Sequence, residues 1–173
     1  VNGWTLLVAT HAAAAITCLM LGGYQLARGV KGDVSHRVTG WVWVLGMLFV
    51  ASSSFAIRDL RDGRLSLLHV LSAVTLVTVT LGVVSARRGN IAAHKANMRG
   101  SWFGLAGAFV GAVAVPRREI PTFVVAEPLG ALAALAALVG LTVGVVALAH
   151  AVDRAAARRV RRTLEPAEGV TYG

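Results

Sequence analysis

Five long stretches of this chain are apolar nearly throughout, and short polar segments separate them. They run over about Trp4–Leu26, Val38–Ile57, Leu65–Ala86, Gly100–Val115 and Pro128–His150. The fourth extends back to about residue 95. A helix rising about 1.5 Å per residue needs roughly 20 residues to cross about 30 Å of hydrocarbon, so each run is read as a transmembrane helix. Spans are therefore expected at 4–26, 38–57, 65–86, 95–115 and 128–150, within a single domain covering 1–152. Residues 153–173 are expected to be a tail, basic at first and then disordered. The predicted class is all-α: a polytopic membrane protein built as a four-helix transmembrane bundle plus a fifth, peripheral transmembrane helix.

Composition agrees with that pattern. Of the 173 residues, 56% are hydrophobic and 14% charged, a balance foreign to soluble domains of this size. All 17 Lys and Arg residues fall between or beyond the uncharged runs, as the cost of a charge in hydrocarbon requires. The net charge of +9 is spread over short loops beside apolar spans. It suits orientation and anionic lipid headgroups, and nucleic acid is not an expected partner. The first and third loops and the tail carry the unbalanced cations, which places them in the cytoplasm of a bacterial inner membrane with the N-terminus outside. Trp4, Trp41, Trp43 and Trp102 lie near span ends, where indoles favour the interface. Nothing at "VNGWTLL" reads as a cleavable leader, so the first span is expected to be retained. Cys18, the single cysteine, reads as a small packing residue.

The chemistry rests on the histidines. His11 and His69 fall inside the first and third spans at similar depth near the outer face; His36 and His94 lie near the cytoplasmic ends of the second and fourth. Each level thus draws one histidine from each of two alternate spans, which lie diagonally across an antiparallel four-helix bundle. Imidazoles facing one another across the centre suit a six-coordinate haem b, whose iron takes one axial nitrogen on each side of the ring. The expected cofactors are two haems b, an outer one between His11 and His69 and an inner one between His36 and His94. Helix rise separates the levels by about 20 Å, close enough for electrons to tunnel across the bilayer. Small residues follow three of the four histidines at helical spacing, as room for a macrocycle: Ala14, Ala15, Cys18 and Gly22 below His11, Ser72 and Ala73 beside His69, Thr39 and Gly40 beside His36. The stripe Gly100, Gly104, Gly107 and Gly111 points away from His94 and reads as close helix packing.

Three segments, "SHRVTGWVWVLGMLFVASSSFAI", "SLLHVLSAVTL" and "ARRGNIAAHKANMRGSWFGLAGAFVGAVAVPRR", carry the order H-R-x-x-G, L-L-H and A-R-R-G-x-x-x-x-H-x-x-x-M. In these the chain resembles the DUF2306 family of bacterial membrane proteins over about His36 to Arg118. That family has no assigned activity; the resemblance lends weight to His36, His69, His94 and Met98. The diagonal layout is also similar to that of di-haem cytochrome b561-type proteins, which by likeness implies transmembrane electron transfer, with a quinone or another electron donor or acceptor at one face. Met98, one turn after His94, is a candidate to line the inner site or supply a thioether ligand. Arg37 and Arg99 are placed for haem propionates, with Arg58, Arg64 or Arg118 in that role outside.

Other chemistries fit less well. All eight carboxylates lie outside the spans or at their ends, so an intramembrane metallohydrolase lacks its buried acid. A three-ligand zinc site would need His150 beside His36 and His94. The rival reading is a non-catalytic membrane subunit or small transporter without haem, its histidines bonding between helices or relaying protons. The fifth span offers nothing to ligate, and is expected at the bundle's periphery or at a contact with a second copy or a larger membrane complex.

Overall fold

A computed structural model describes residues 5–57, 67–114 and 119–164. Six helices occupy them: α1 (Leu6–Ala27), α2 (Val34–Ser54), α3 (Leu67–Arg87), α4 (Ile91–Val113), α5 (Glu119–Ala126) and α6 (Pro128–Leu164). Among the described residues there is no strand. α1 packs on α2, α2 on α3, α3 on α4, and α4 back on α1, while among the described residues the backbones of α1 and α3, and of α2 and α4, stay apart. This is a four-helix ring with α1 opposite α3 and α2 opposite α4. α6 lies outside it, in the groove between α1 and α2, as expected for a peripheral helix.

The molecule buries polar side chains and exposes apolar ones. Ser35, Thr39, Ser53, His69, Thr75, Ser101 and Thr142 are buried, whereas Leu129, Leu132, Leu135, Val139 and Val143 of α6 stand in the open with Val70, Val74, Val77 and Leu81 of α3. In water this arrangement would be ruinous; in lipid it is required, because only protein can satisfy a polar group there. Hydrogen bonds join neighbours around the ring. Ser54 Oγ donates to Ser72 Oγ over 2.6 Å, and the Thr78 and Ser101 hydroxyls pair at 2.8 Å. Trp43 Nε1 donates to the Cys18 carbonyl at 3.0 Å and Trp102 Nε1 to the Leu19 carbonyl at 2.9 Å.

Helices α1, α2, α3 and α6 are long and apolar enough to cross a membrane. α4 has 23 residues, but His94, Lys95, Asn97 and Arg99 crowd its first turns, so its apolar part begins at Gly100 as the sequence pattern indicates. Two elements differ from the sequence reading. α5 is a short helix in the segment read only as the fourth loop. The basic stretch after His150 continues α6 unbroken to Leu164, since "RAAARRVRR" contains strong helix formers and no Gly or Pro.

The two connections at one end of the bundle are built to hold their helix starts. Asp33 is the N-cap of α2, accepting from the His36 N–H at 2.8 Å, and Asp153 of α6 accepts from the Val34 N–H at 3.2 Å. Gly89, at φ +75°, closes α3 in a left-handed turn that only glycine adopts freely. Asn90 then caps α4, its Oδ1 accepting from the Ala93 N–H at 3.0 Å.

The small residues of α1 have a different use from the one expected. A Cβ on Gly22 would collide with Trp102 Cδ1 and lie 2.5 Å from Trp43 Nε1, and one on Gly46 would lie 2.5 Å from Cys18 Sγ. Two indoles fill the middle of the bundle there, so Trp43, only 5% exposed, is a core residue and not an interfacial one. Trp41 does stand at the surface, 47% exposed, with the Arg87 guanidinium 5.7 Å from its ring centre; Trp4 lies outside the described residues. The glycine stripe of α4 also departs from expectation: among the described residues only Gly104 approaches another helix, at Leu71, and none stands within 4 Å of a Cβ placed at Gly100, Gly107 or Gly111.

Two outcomes follow from this packing. Gly22→Ala should displace both indoles and cost about 1–3 kcal/mol, read as a lowered melting temperature in detergent. Partial burial pushes the Asp33 carboxyl up, but the His36 N–H and the Arg28 hydrogen bond and charge outweigh it and hold it below the usual carboxylate range. Such a group stabilises the folded state above its unfolded value, near 3.8, and loses that contribution as pH falls through its depressed folded value. The stability gap between the native protein and Asp33→Ala should therefore be full at neutral pH and shrink below about pH 4, as followed by thermal melts across pH.

Candidate functional site

His36 is the third residue of α2 and His94 the fourth of α4, each placed one turn inside its helix by the caps just described. The two helices are opposite members of the ring. Their imidazoles nevertheless meet across it, with ring centroids 6.4 Å apart and planes at 83°.

The outer nitrogen of each ring is tied back to a neighbouring helix. His94 Nδ1 lies 2.9 Å from the Gly82 carbonyl of α3, which can only accept, so Nδ1 carries the proton and Nε2 the lone pair. His36 Nδ1 lies 3.2 Å from Gln25 Oε1 of α1, while Gln25 Nε2 donates to the His36 carbonyl at 2.9 Å. The second bond fixes which way the amide faces, and so makes His36 Nδ1 a donor as well. At the far end, His11 Nδ1 is 2.8 Å from Ser53 Oγ. Ser53 Oγ also lies 3.2 Å from the Val50 carbonyl, to which it can donate. His36 and His94 are thus held as Nδ1–H tautomers with Nε2 left free, the state in which histidine ligates a metal, and His11 Nδ1 is tethered to a hydroxyl.

His69 is 6% exposed, with its ring centroid 5.7 Å from that of Phe55. His11 and His69 therefore both lie at the C-terminal end of α2, one on Ser53 and the other on Phe55. Their helices are again opposite members of the ring.

The spacing of the two levels can be read along three helices. His11 to Gln25 is fourteen residues of α1, Ser53 to His36 seventeen of α2, and His69 to Gly82 thirteen of α3. The levels are thus about 20–25 Å apart along the bundle, and Trp43 and Trp102 sit between them.

The remaining candidates are placed as follows. Met98 is partly buried, its methyl group against Gly82. Arg37 and Arg99 are exposed. Arg58, Arg64 and Arg118 lie outside the described residues. His150 has a partner on α1, its Nε2 2.8 Å from the Tyr24 hydroxyl, and is not drawn to His36 and His94. Among the described residues no three His, Cys, Asp or Glu side chains gather as a metal-ion cluster. Arg28 is the residue the sequence reading passed over, counted there only as a loop cation. Its side chain is 9% exposed, and its Nη2 donates to Asp33 Oδ2 over 2.6 Å.

Haem b asks for two neutral imidazoles opposed across one iron, with no third protein donor. Two rings bound at about 2 Å on opposite sides of one metal have centroids roughly 6 Å apart, close to the separation of His36 and His94. Their tautomers and the polar tethers on Nδ1 match that donor set, so the residues present fit the group at the His36 level.

No curated protein and no solved structure matches the chain. A family model for a predicted membrane protein, DUF2306, matches residues 8–152, a stretch that holds all five histidines, both tryptophans of the core and the helices from α1 into α6; the chain belongs to that family.

Proposed function

We propose that this protein is a transmembrane di-haem b cytochrome, which carries electrons across a bacterial inner membrane between a level at His11 and His69 and a level at His36 and His94. The observation that supports it most is the pair His36 and His94, brought together edge to face from diagonal helices with both Nδ1 atoms already donating. Haem iron, when bound, alternates between ferric and ferrous and so holds one electron at a time. The chain supplies the rest. His36 and His94 offer Nε2 lone pairs, and Gln25 and the Gly82 carbonyl hold the rings in place and raise their basicity by accepting from Nδ1. His11, tethered to Ser53, and buried His69 take the same part at the other end. His69 is buried from solvent, whereas His36 and His94 are half-buried at their helix ends. The N-terminus lies outside and the C-terminus in the cytoplasm by the cation count, with a quinone or another electron donor or acceptor engaging one face. α6 is the surface for a second copy or a larger membrane complex.

A second reading is favoured by the same hydrogen bonds. His36, His94 and His11 each tie two helices together, which a colourless structural or transport subunit would also need. The two readings part in the spectrum of the detergent-purified protein, produced with ample haem supply. A reduced α-band and pyridine-haemochrome near two haems per chain are expected; a colourless protein leaves the structural reading.

Substitution then assigns the levels. His36→Ala and His69→Ala should each lose one haem per chain and keep the other, and two full haems in either variant would falsify the ligation proposed for it. Gln25→Leu, which removes the acceptor from His36 Nδ1, should keep both haems while weakening retention of the His36-level haem about 10–100-fold, measured by transfer of haem to an apoprotein acceptor. Under the structural reading it lowers the melting temperature alone.

A further inference from the structure

Arg28 is a cation whose side chain is only 9% exposed, with part of its hydrogen-bonding capacity unspent. Nη2 is engaged by Asp33, and the guanidinium carbon lies 5.8 Å from the centre of the Tyr24 ring. Nη1 is buried and has no partner among the described residues. Ser35 Oγ, in the first turn of α2, is likewise buried without a partner. A buried guanidinium N–H left unsatisfied is costly, and a guanidinium is shaped to take two oxygens of one planar or tetrahedral anion.

Its position adds to this. Asp33 accepts both from Arg28 and from the His36 N–H, so Arg28 and His36 share one carboxylate, and Arg28 is within electrostatic reach of the His36 ring. Lys31 is within reach of the same ring, though its Nζ is turned to the Leu26 carbonyl at 3.3 Å. The charged and titratable groups around this junction are thus Tyr24, Arg28, Lys31, Asp33, His36, His94, His150 and Asp153, the last accepting from the Val34 N–H, so two carboxylates stand beside two fixed cations and neither occupies Arg28 Nη1.

We propose that Arg28 is the anion-binding residue of this end of the bundle, its Nη1 taking an oxygen of a carboxylate or phosphate brought beside His36. A carboxylate comes from the propionate of the haem at the His36 level, a source that rests on the function proposed above. A phosphate comes from an anionic lipid headgroup, a source that does not. Arg37 and Arg99 are exposed, and no unpartnered buried N–H singles either of them out.

The test compares the native protein with Arg28→Gln, Arg28→Lys and Asp33→Asn, each purified in detergent. Spectroscopic redox titration follows the haem that His36→Ala removes. If Arg28 holds its propionate, Arg28→Gln keeps two haems per chain but lowers the midpoint potential of that haem alone. Arg28→Lys shifts it less, and Asp33→Asn, which removes the opposing charge, shifts it upward. The second arm reconstitutes each protein in phosphatidylglycerol and phosphatidylcholine bilayers, re-extracts it, and counts phosphatidylglycerol retained per chain. Loss of retained phosphatidylglycerol in Arg28→Gln, with the potential unmoved, assigns the phosphate source, and this arm reads equally well in a protein without haem. Should Arg28→Gln not fold, Arg28→Lys carries both measurements, since it keeps the charge but cannot serve Asp33 and a second anion together. Unchanged potential and unchanged lipid retention overturn the proposal, as does a downward shift of the same size in Asp33→Asn, which would make Arg28 only a support for the α2 cap.

Discussion

A side chain that can donate or accept a hydrogen bond has no water to turn to inside hydrocarbon, and every polar group in this bundle is placed under that constraint. Most of the described serine and threonine hydroxyls turn back to carbonyls of their own helices or across to a neighbour, Ser35 being the buried exception. The indole N–H groups of Trp43 and Trp102 find carbonyls at Cys18 and Leu19 on α1. The imidazoles are held most firmly, because a ring with two nitrogens cannot satisfy both by rotating. In two of them, His36 and His94, the partner fixes the proton on Nδ1. The neighbouring helices thereby settle, before any ligand arrives, which nitrogen those two histidines present.

This preparation is distributed around the ring. α1 supplies Gln25 to the histidine of α2; α2 supplies Ser53 to the histidine of α1; α3 supplies the Gly82 carbonyl to the histidine of α4. No helix positions its own. The pattern links helix packing to the chemistry of the sites, since a helix that slid by one turn, about 5.4 Å, would take a tether from one level as well as displacing a ring at the other.

Much of this was legible in the sequence. Run lengths located the helices, the order of elements implied the diagonal pairs, and depth along each helix put His36 level with His94. Sequence could not show which way a ring turns or what accepts its Nδ1–H, because Gln25, Ser53 and Gly82 are distant along the chain and only packing brings them near. The small residues of α1 misled for a related reason. Gly22 does mark a place where something bulky comes close, but its spacing cannot say whether that is a macrocycle or, as here, two indoles from α2 and α4. Arg28 was overlooked because a cation at a helix end looks the same in sequence whether it is solvated or buried.

The two indoles at mid-depth also bear on what else can pass along the bundle. Proton conduction by relay needs groups that accept a proton on one side as they release one on the other, and hydroxyls, imidazoles and water all do this. An indole has a single N–H and no acceptor, and both of these are already committed to carbonyls. Neither indole can therefore serve as a link in a Grotthuss chain between the two histidine levels, and any such chain would have to pass around them.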